Sequence, residues 1–233
     1  MINKKNFIFF YLLLLLVLPS CIKYYEMSND EFPQAIEKKD DYTELIQENL
    51  KSVRAYEQFE TKATFDALWM SDEMKVAFEN VYCNKRGKDE NTKDALIRRQ
   101  LEESKHWITF YVLTDVRGKN NTSMTEKDSL WSMYLQVGDK KISPISIKEV
   151  ELEPEIQFFF GSRFSSFKSP YLVKFPATDM AGQFYLKDAS GMSLFFSSPL
   201  LETKLTWSNE ENKKAMEKLE REGMIGEKDR YWG

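Results

Sequence analysis

From residue 130 onward the chain is a succession of short β-like runs broken by turn signals, and no helix-length apolar stripe interrupts them until residue 208. The runs are Leu130–Val137, Ile142–Ile147, Ile145–Leu152, Ile156–Phe160, Tyr171–Phe175, Gln183–Leu186, Ser193–Ser197 and Glu202–Trp207. Gly138-Asp139 offers a two-residue turn between the first two. Strands at this spacing, not alternating with helices, predict antiparallel sheets packed face to face rather than a doubly wound parallel sheet. The expected class is therefore α+β, a predominantly antiparallel β-sandwich, with an immunoglobulin-like arrangement as the specific form. No Cys…Trp…Cys core signature accompanies it.

The first half adds helices to this frame. Phe59–Trp69 alternates, with Ala63, Phe65, Ala67 and Trp69 on one face and Lys62, Thr64 and Asp66 on the other. Ser71 then stands as an N-cap before Asp72 and Glu73, and Met74, Ala77, Phe78 and Val81 form a helical stripe that Gly87 ends. A second, charged helix over about 92–104 completes a hairpin spanning 71–104. His106–Val116 is apolar on both faces, as a strand covered on both sides would be. Residues 41–53 predict a short helix using Leu45, Ile46, Leu50 and Val53. Ser208-Asn209-Glu210-Glu211 is a capping box opening a charged helix to about Glu222, followed by Arg230-Tyr231-Trp232.

The N-terminus is of another kind. Lys4 and Lys5 precede twelve consecutive apolar or aromatic residues, Phe7–Leu18, then Pro19, Ser20 and Cys21. A charged n-region, a short h-region and a small residue before the cleavage point make a secretory signal peptide. Twelve residues give a helix of about 18 Å, short of the ~30 Å hydrocarbon core. Leu18-Pro19-Ser20-Cys21 resembles the lipobox of bacterial lipoproteins. The resemblance implies diacylation of the Cys21 thiol, removal of residues 1–20, and attachment to a membrane through the lipid alone. Ile22, rather than Asp, follows Cys21; by the sorting rule of enteric bacteria this favours the outer membrane of a Gram-negative envelope. The organisation expected is a leader (1–20), a lipidated cysteine with tether and short helix (21–53), a β-rich domain (54–207) and a C-terminal charged helix and tail (208–233).

Composition excludes some functions and opens few. The chain has 233 residues and a formal charge of -4, which falls to -6 without the two leader lysines. That balance does not suit a nucleic-acid backbone. No G-x-S-x-G, phosphate-cradling glycine loop, H-E-x-x-H or C-x-x-C occurs. His106 is the only histidine, and the simpler reading places it beside Trp107 at a strand start. With Cys21 lipidated, Cys83 has no disulfide partner, and its wheel position predicts a packed thiol. Glu149, Glu151, Glu153 and Glu155 would share one face of an extended strand about 7 Å apart, as a solvent face or, less simply, as calcium ligands or a glycosidase pair. Arg163, Phe164 and Phe167 are a candidate binding patch, and Arg230, Tyr231 and Trp232 a candidate partner-binding tail.

These features predict a non-catalytic envelope lipoprotein that binds or supports another envelope protein, with no cofactor beyond the lipid on Cys21. The alternative is a carrier or sensor of an apolar ligand such as a lipid, in a barrel lined by the aromatics of 158–175. A hydrolase using His106 or the glutamate row is a third.

Overall fold

The computed structural model describes residues 42–117, 123–126, 128–187 and 189–208. All of them belong to one compact unit that begins at Tyr42. The leader, Cys21, the tether, the helix expected after Ser208 and the Arg230-Tyr231-Trp232 tail lie outside the described residues. Among those described, no helix is long and apolar enough to cross a membrane.

Helix α1 (Thr43–Asn49) leads into strands β1 (Leu50–Glu57) and β2 (Glu60–Trp69). The hairpin α2 (Asp72–Arg86) and α3 (Glu90–Ser104) follows, then β3 (Trp107–Val116), β4 (Ser132–Val137), β5 (Lys140–Ile142) and β6 (Ser146–Glu149). Helix α4 (Pro154–Phe160), a 3-10 turn (Gly161–Arg163), β7 (Ser169–Pro176), β8 (Gly191–Ser197) and β9 (Glu202–Ser208) complete the order. The strands form two antiparallel sheets, β1-β2-β3-β7-β6 and β5-β4-β8-β9. The protein is thus mixed α+β with β-rich character.

The period-two patterns explain the layering. Ala63, Phe65, Ala67 and Trp69 of β2, with Phe110 and Val112 of β3 and Val173 and Phe175 of β7, face a core shared with Leu135, Leu194, Phe196 and Trp207 of the other sheet. Phe65 stacks on Phe196 with ring centroids 4.1 Å apart, and Phe110 meets Trp207 at 5.2 Å. The opposite face of the five-stranded sheet carries Leu68 and Leu113, which pack with Met74, Ala77, Phe78 and Val81 of α2 and with Ile156, Phe159 and Phe160 of α4. Strands β2 and β3 are therefore covered on both sides, which is why His106–Val116 carries apolar residues on both faces.

Local signals hold where they were strongest. Ser71 Oγ accepts from Met74 N at 3.3 Å, and Gly87 ends α2 in the left-handed conformation. Four expectations need correction. Residues 50–53 are not helical but open β1, so a strand crosses the boundary expected at 53/54. Ile156–Phe160 is helical: Pro154 at the first turn and burial at 152, 155, 156, 159 and 160 follow a helical period. Ile145–Leu152 narrows to Ser146–Glu149, and Gln183–Leu186 to a single bridge between Thr178 and Phe184.

The two acids of the first turn of α2, Asp72 and Glu73, are buried. Burial, reinforced by the charge of Asp72, pushes the Glu73 carboxyl up to about 8, against the partial relief of backbone and Ser71 hydrogen bonds. The folded state then holds the Glu73 proton more tightly than the unfolded chain, whose value is near 4.5. Stability from this group is greatest below about 4.5, falls as pH rises toward about 8 by up to ~1.4 kcal/mol per pH unit, and levels off above that. Glu73→Gln should flatten the dependence. Urea unfolding at pH 5 and pH 8 checks it: the variant gains on wild type at pH 8 and not at pH 5.

Candidate functional site

Strand register defines the two poles of the domain. Ala63 pairs with Val116 and Thr114 with Ser169, so the β1–β2 turn, the end of β3 and the entry to β7 share one end of the five-stranded sheet. In the other sheet Ser132 pairs with Ser197 and Ser197 with Glu202, which puts the entry to β4 and the β8–β9 turn at one end. Ring contacts show which ends coincide: Phe65 stacks on Phe196 and meets Trp131 at 5.0 Å, whereas Trp207 contacts Phe110. The β1–β2, β3–β4 and β8–β9 connections and the β7 entry therefore gather at one pole. At the opposite pole Trp207 Nε1 donates to the carbonyl of Asn49 at 2.8 Å. That pole is where the chain enters β1 and leaves β9.

The gathered pole exposes large apolar side chains. Of the seven large apolar side chains that the described residues expose, Phe59, Leu130, Phe167 and Leu200 lie in these connections. Phe59 is fully exposed, and Phe167 is 91% exposed. The β1–β2 hairpin runs three residues past the last β2–β3 pair, about 10 Å, so Phe59 projects beyond its neighbours. Its turn is of the type that needs positive φ at both central residues. Gln58 and Phe59 supply them at 47° and 68°, where an L side chain costs roughly 1–2 kcal/mol and glycine costs nothing.

The residues nominated from sequence divide. Phe167 belongs to this pole. Phe164 is half-buried against the helical layer, and Arg163 donates from Nη1 to the Leu50 carbonyl at 3.3 Å, tying its turn to β1. Lys168, beside Phe167, pairs with the buried Asp66 at 2.6 Å, which fixes the loop that carries it. The aromatics expected to line a ligand barrel are core instead: Tyr171 and Phe175 lie between the sheets, and Phe159 and Phe160 lie under the helices.

The glutamate row does not form a shared face. Glu149 ends β6, Glu151 and Glu153 are exposed, and Glu155 is buried in α4. Pro154 starts a helix in mid-row and destroys the period of two. Glu155 Oε1 lies 3.5 Å from Arg86 Nε. Among the described residues no three His, Cys, Asp or Glu side chains are grouped to hold a metal. His106 is exposed before β3, with its ring tilted 6.5 Å from that of Trp107. Cys83 is buried in α2, and burial pushes its thiol up, which suppresses the reactive thiolate.

No sequence signal marks Phe59, Leu130 or Leu200 as site residues. Phe59 opens an alternating run and reads as part of the strand, while Leu200 sits with Leu201 after Pro199 in a turn that has no period. Only the register reveals that they share a pole. Comparison of the chain with protein-family models, curated proteins and solved structures gives no match.

Proposed function

We propose that the chain is a lipid-anchored envelope protein whose β-rich domain is a non-catalytic module, binding another envelope protein through the Phe59 pole. The observation that carries this is Phe59 itself. A bulky aromatic held at positive φ and fully in solvent contributes nothing to the core and strains its turn. Such strain points to a function that needs the side chain there. Leu130, Phe167 and Leu200 extend the apolar area, as a contact surface requires.

The strand order supports the immunoglobulin-like reading. Taking β2 as the first strand, β2-β3-β7-β6 against β5-β4-β8-β9 follows A-B-E-D against C′-C-F-G. The α2–α3 hairpin is then an insertion between the first two strands, and β1 an added edge. By fold-level analogy, the Phe59 pole corresponds to the loop end that many such domains use for binding. The Leu18–Cys21 sequence supports anchorage through a lipid on Cys21, with the outer membrane favoured by Ile22. In this reading the membrane and one envelope protein are the partners, and the lipid is the only attached group.

Phe59→Gly separates a binding role from a structural one. Relief of the strained turn should raise stability by a few tenths to about 1 kcal/mol, because the unfolded-state entropy of glycine offsets part of the gain. Partner capture by the full lipidated chain should fall at the same time. A variant that is more stable and binds as well as wild type would remove Phe59 from the interface.

A further inference from the structure

Between the helical hairpin and the outer face of the five-stranded sheet lies a cavity of about 160 Å³. Its walls come from four elements: Lys75 of α2, Glu103 of α3, Thr109 and Tyr111 of β3, and Lys174 of β7. Apolar side chains, Phe78 and Leu172 among them, complete it. The cavity is partly open to solvent, and a lining with a cation and hydroxyls suits a polar occupant, since cavities that stay empty are ordinarily apolar.

Two features of the lining need an occupant. Lys75 is 3% exposed, yet its ammonium has only neutral acceptors: Ser104 Oγ at 2.6 Å and the Gln100 carbonyl at 3.3 Å. An ammonium has three N–H donors, so one is left without an acceptor. The Thr109 hydroxyl is buried with no hydrogen-bond partner at all. The other cation, Lys174, is neutralised by its ion pair with Glu103. A buried ammonium that no carboxylate contacts directly and a buried hydroxyl without a hydrogen-bond partner are each destabilising by kilocalories, and both line one space.

We infer that this cavity binds a small monocarboxylate with a short apolar tail, its carboxylate accepting from Lys75 Nζ and Thr109 Oγ1. Charge decides the class. Lys75, Lys174 and Glu103 give the lining itself one net positive charge; Asp72, outside it, already offsets part of the Lys75 charge, so the space matches a monoanion at most, and the Glu103 carboxylate repels a dianion such as phosphate. The apolar part of the lining takes the tail. Burial draws the Lys75 ammonium down from its ordinary value, with Asp72 and Glu103 opposing the shift, and a bound carboxylate would restore it. Burial also raises the phenol of Tyr111, another lining residue, to about 12, so it stays protonated.

The test is ligand-observed NMR on the full chain in detergent, titrated separately with butyrate and with inorganic phosphate. Saturable butyrate binding is expected, with phosphate at least about tenfold weaker. Lys75→Met should weaken butyrate by roughly tenfold to a hundredfold, the range for a charge-assisted hydrogen bond, and Thr109→Val by several-fold. The Lys75 ammonium resonance of the wild type should move with butyrate, a readout that stands even if a variant fails to fold. Absence of saturable butyrate binding, equal binding of phosphate, or a Lys75 resonance indifferent to butyrate each overturns the assignment.

Discussion

Cys21→Ala is expected to abolish both lipid attachment and removal of residues 1–20, an all-or-none effect on the mature protein. The chemistry is specific to sulfur, because a thiolate is the nucleophile able to take the diacylglyceryl group in a thioether. Cleavage before residue 21 follows modification in lipobox proteins, so an alanine there leaves the leader in place. Intact-mass spectrometry reads both events together. Wild type should lack the twenty leader residues and carry the mass of two or three acyl chains, enough for stable anchorage where one chain is marginal. The variant should appear as the unmodified chain of 27.5 kDa. A variant trimmed at the wild-type position and free of lipid in both forms would make residues 1–20 an ordinary leader.

Phe65→Ala should be the most damaging single substitution in the domain. Phe65 is fully buried, stacked on Phe196 across the two sheets and edge-on to Trp131. Its removal deletes contacts that join the sheets and opens a cavity at the end of the core that supports the Phe59 pole. Large-to-small changes of this kind cost about 3–5 kcal/mol, a large part of the 5–15 kcal/mol that a domain has in total. Urea unfolding should show a much lower midpoint with an unchanged slope. A loss under ~1 kcal/mol would mean that the two sheets do not depend on this contact.

What the sequence made legible was the pattern that burial imposes on single elements. Ala63 to Trp69, the doubly apolar β3 and the caps Ser71 and Gly87 each report one environment along one run, and they read correctly. Strand β1 escaped because it is an edge: only Leu50 and Ala55 are buried, and Lys51, Ser52, Arg54 and Glu57 break any apolar stripe. The glutamate row failed for the opposite reason. Its alternation was present, but Pro154 and the spacing of Leu152, Ile156, Phe159 and Phe160 suited a helix equally, and packing under the hairpin decided it. The sites were less legible than the fold. Lys75, Glu103, Thr109 and Lys174 come from four elements spread over a hundred positions, and Phe59, Leu130, Phe167 and Leu200 meet only through register. No local period connects such residues.

The two poles differ in function if Phe59, Phe167 and Leu200 form a contact surface. A photo-crosslinking residue placed in cells at position 59, 167 or 200 probes the gathered pole, and one at Ile145 or Met180, also exposed but elsewhere, serves as the control. A discrete crosslinked product of one size from the first three positions, and none from the controls, is the predicted result. Products of the same size from both sets, or none from positions 59, 167 and 200, would contradict it.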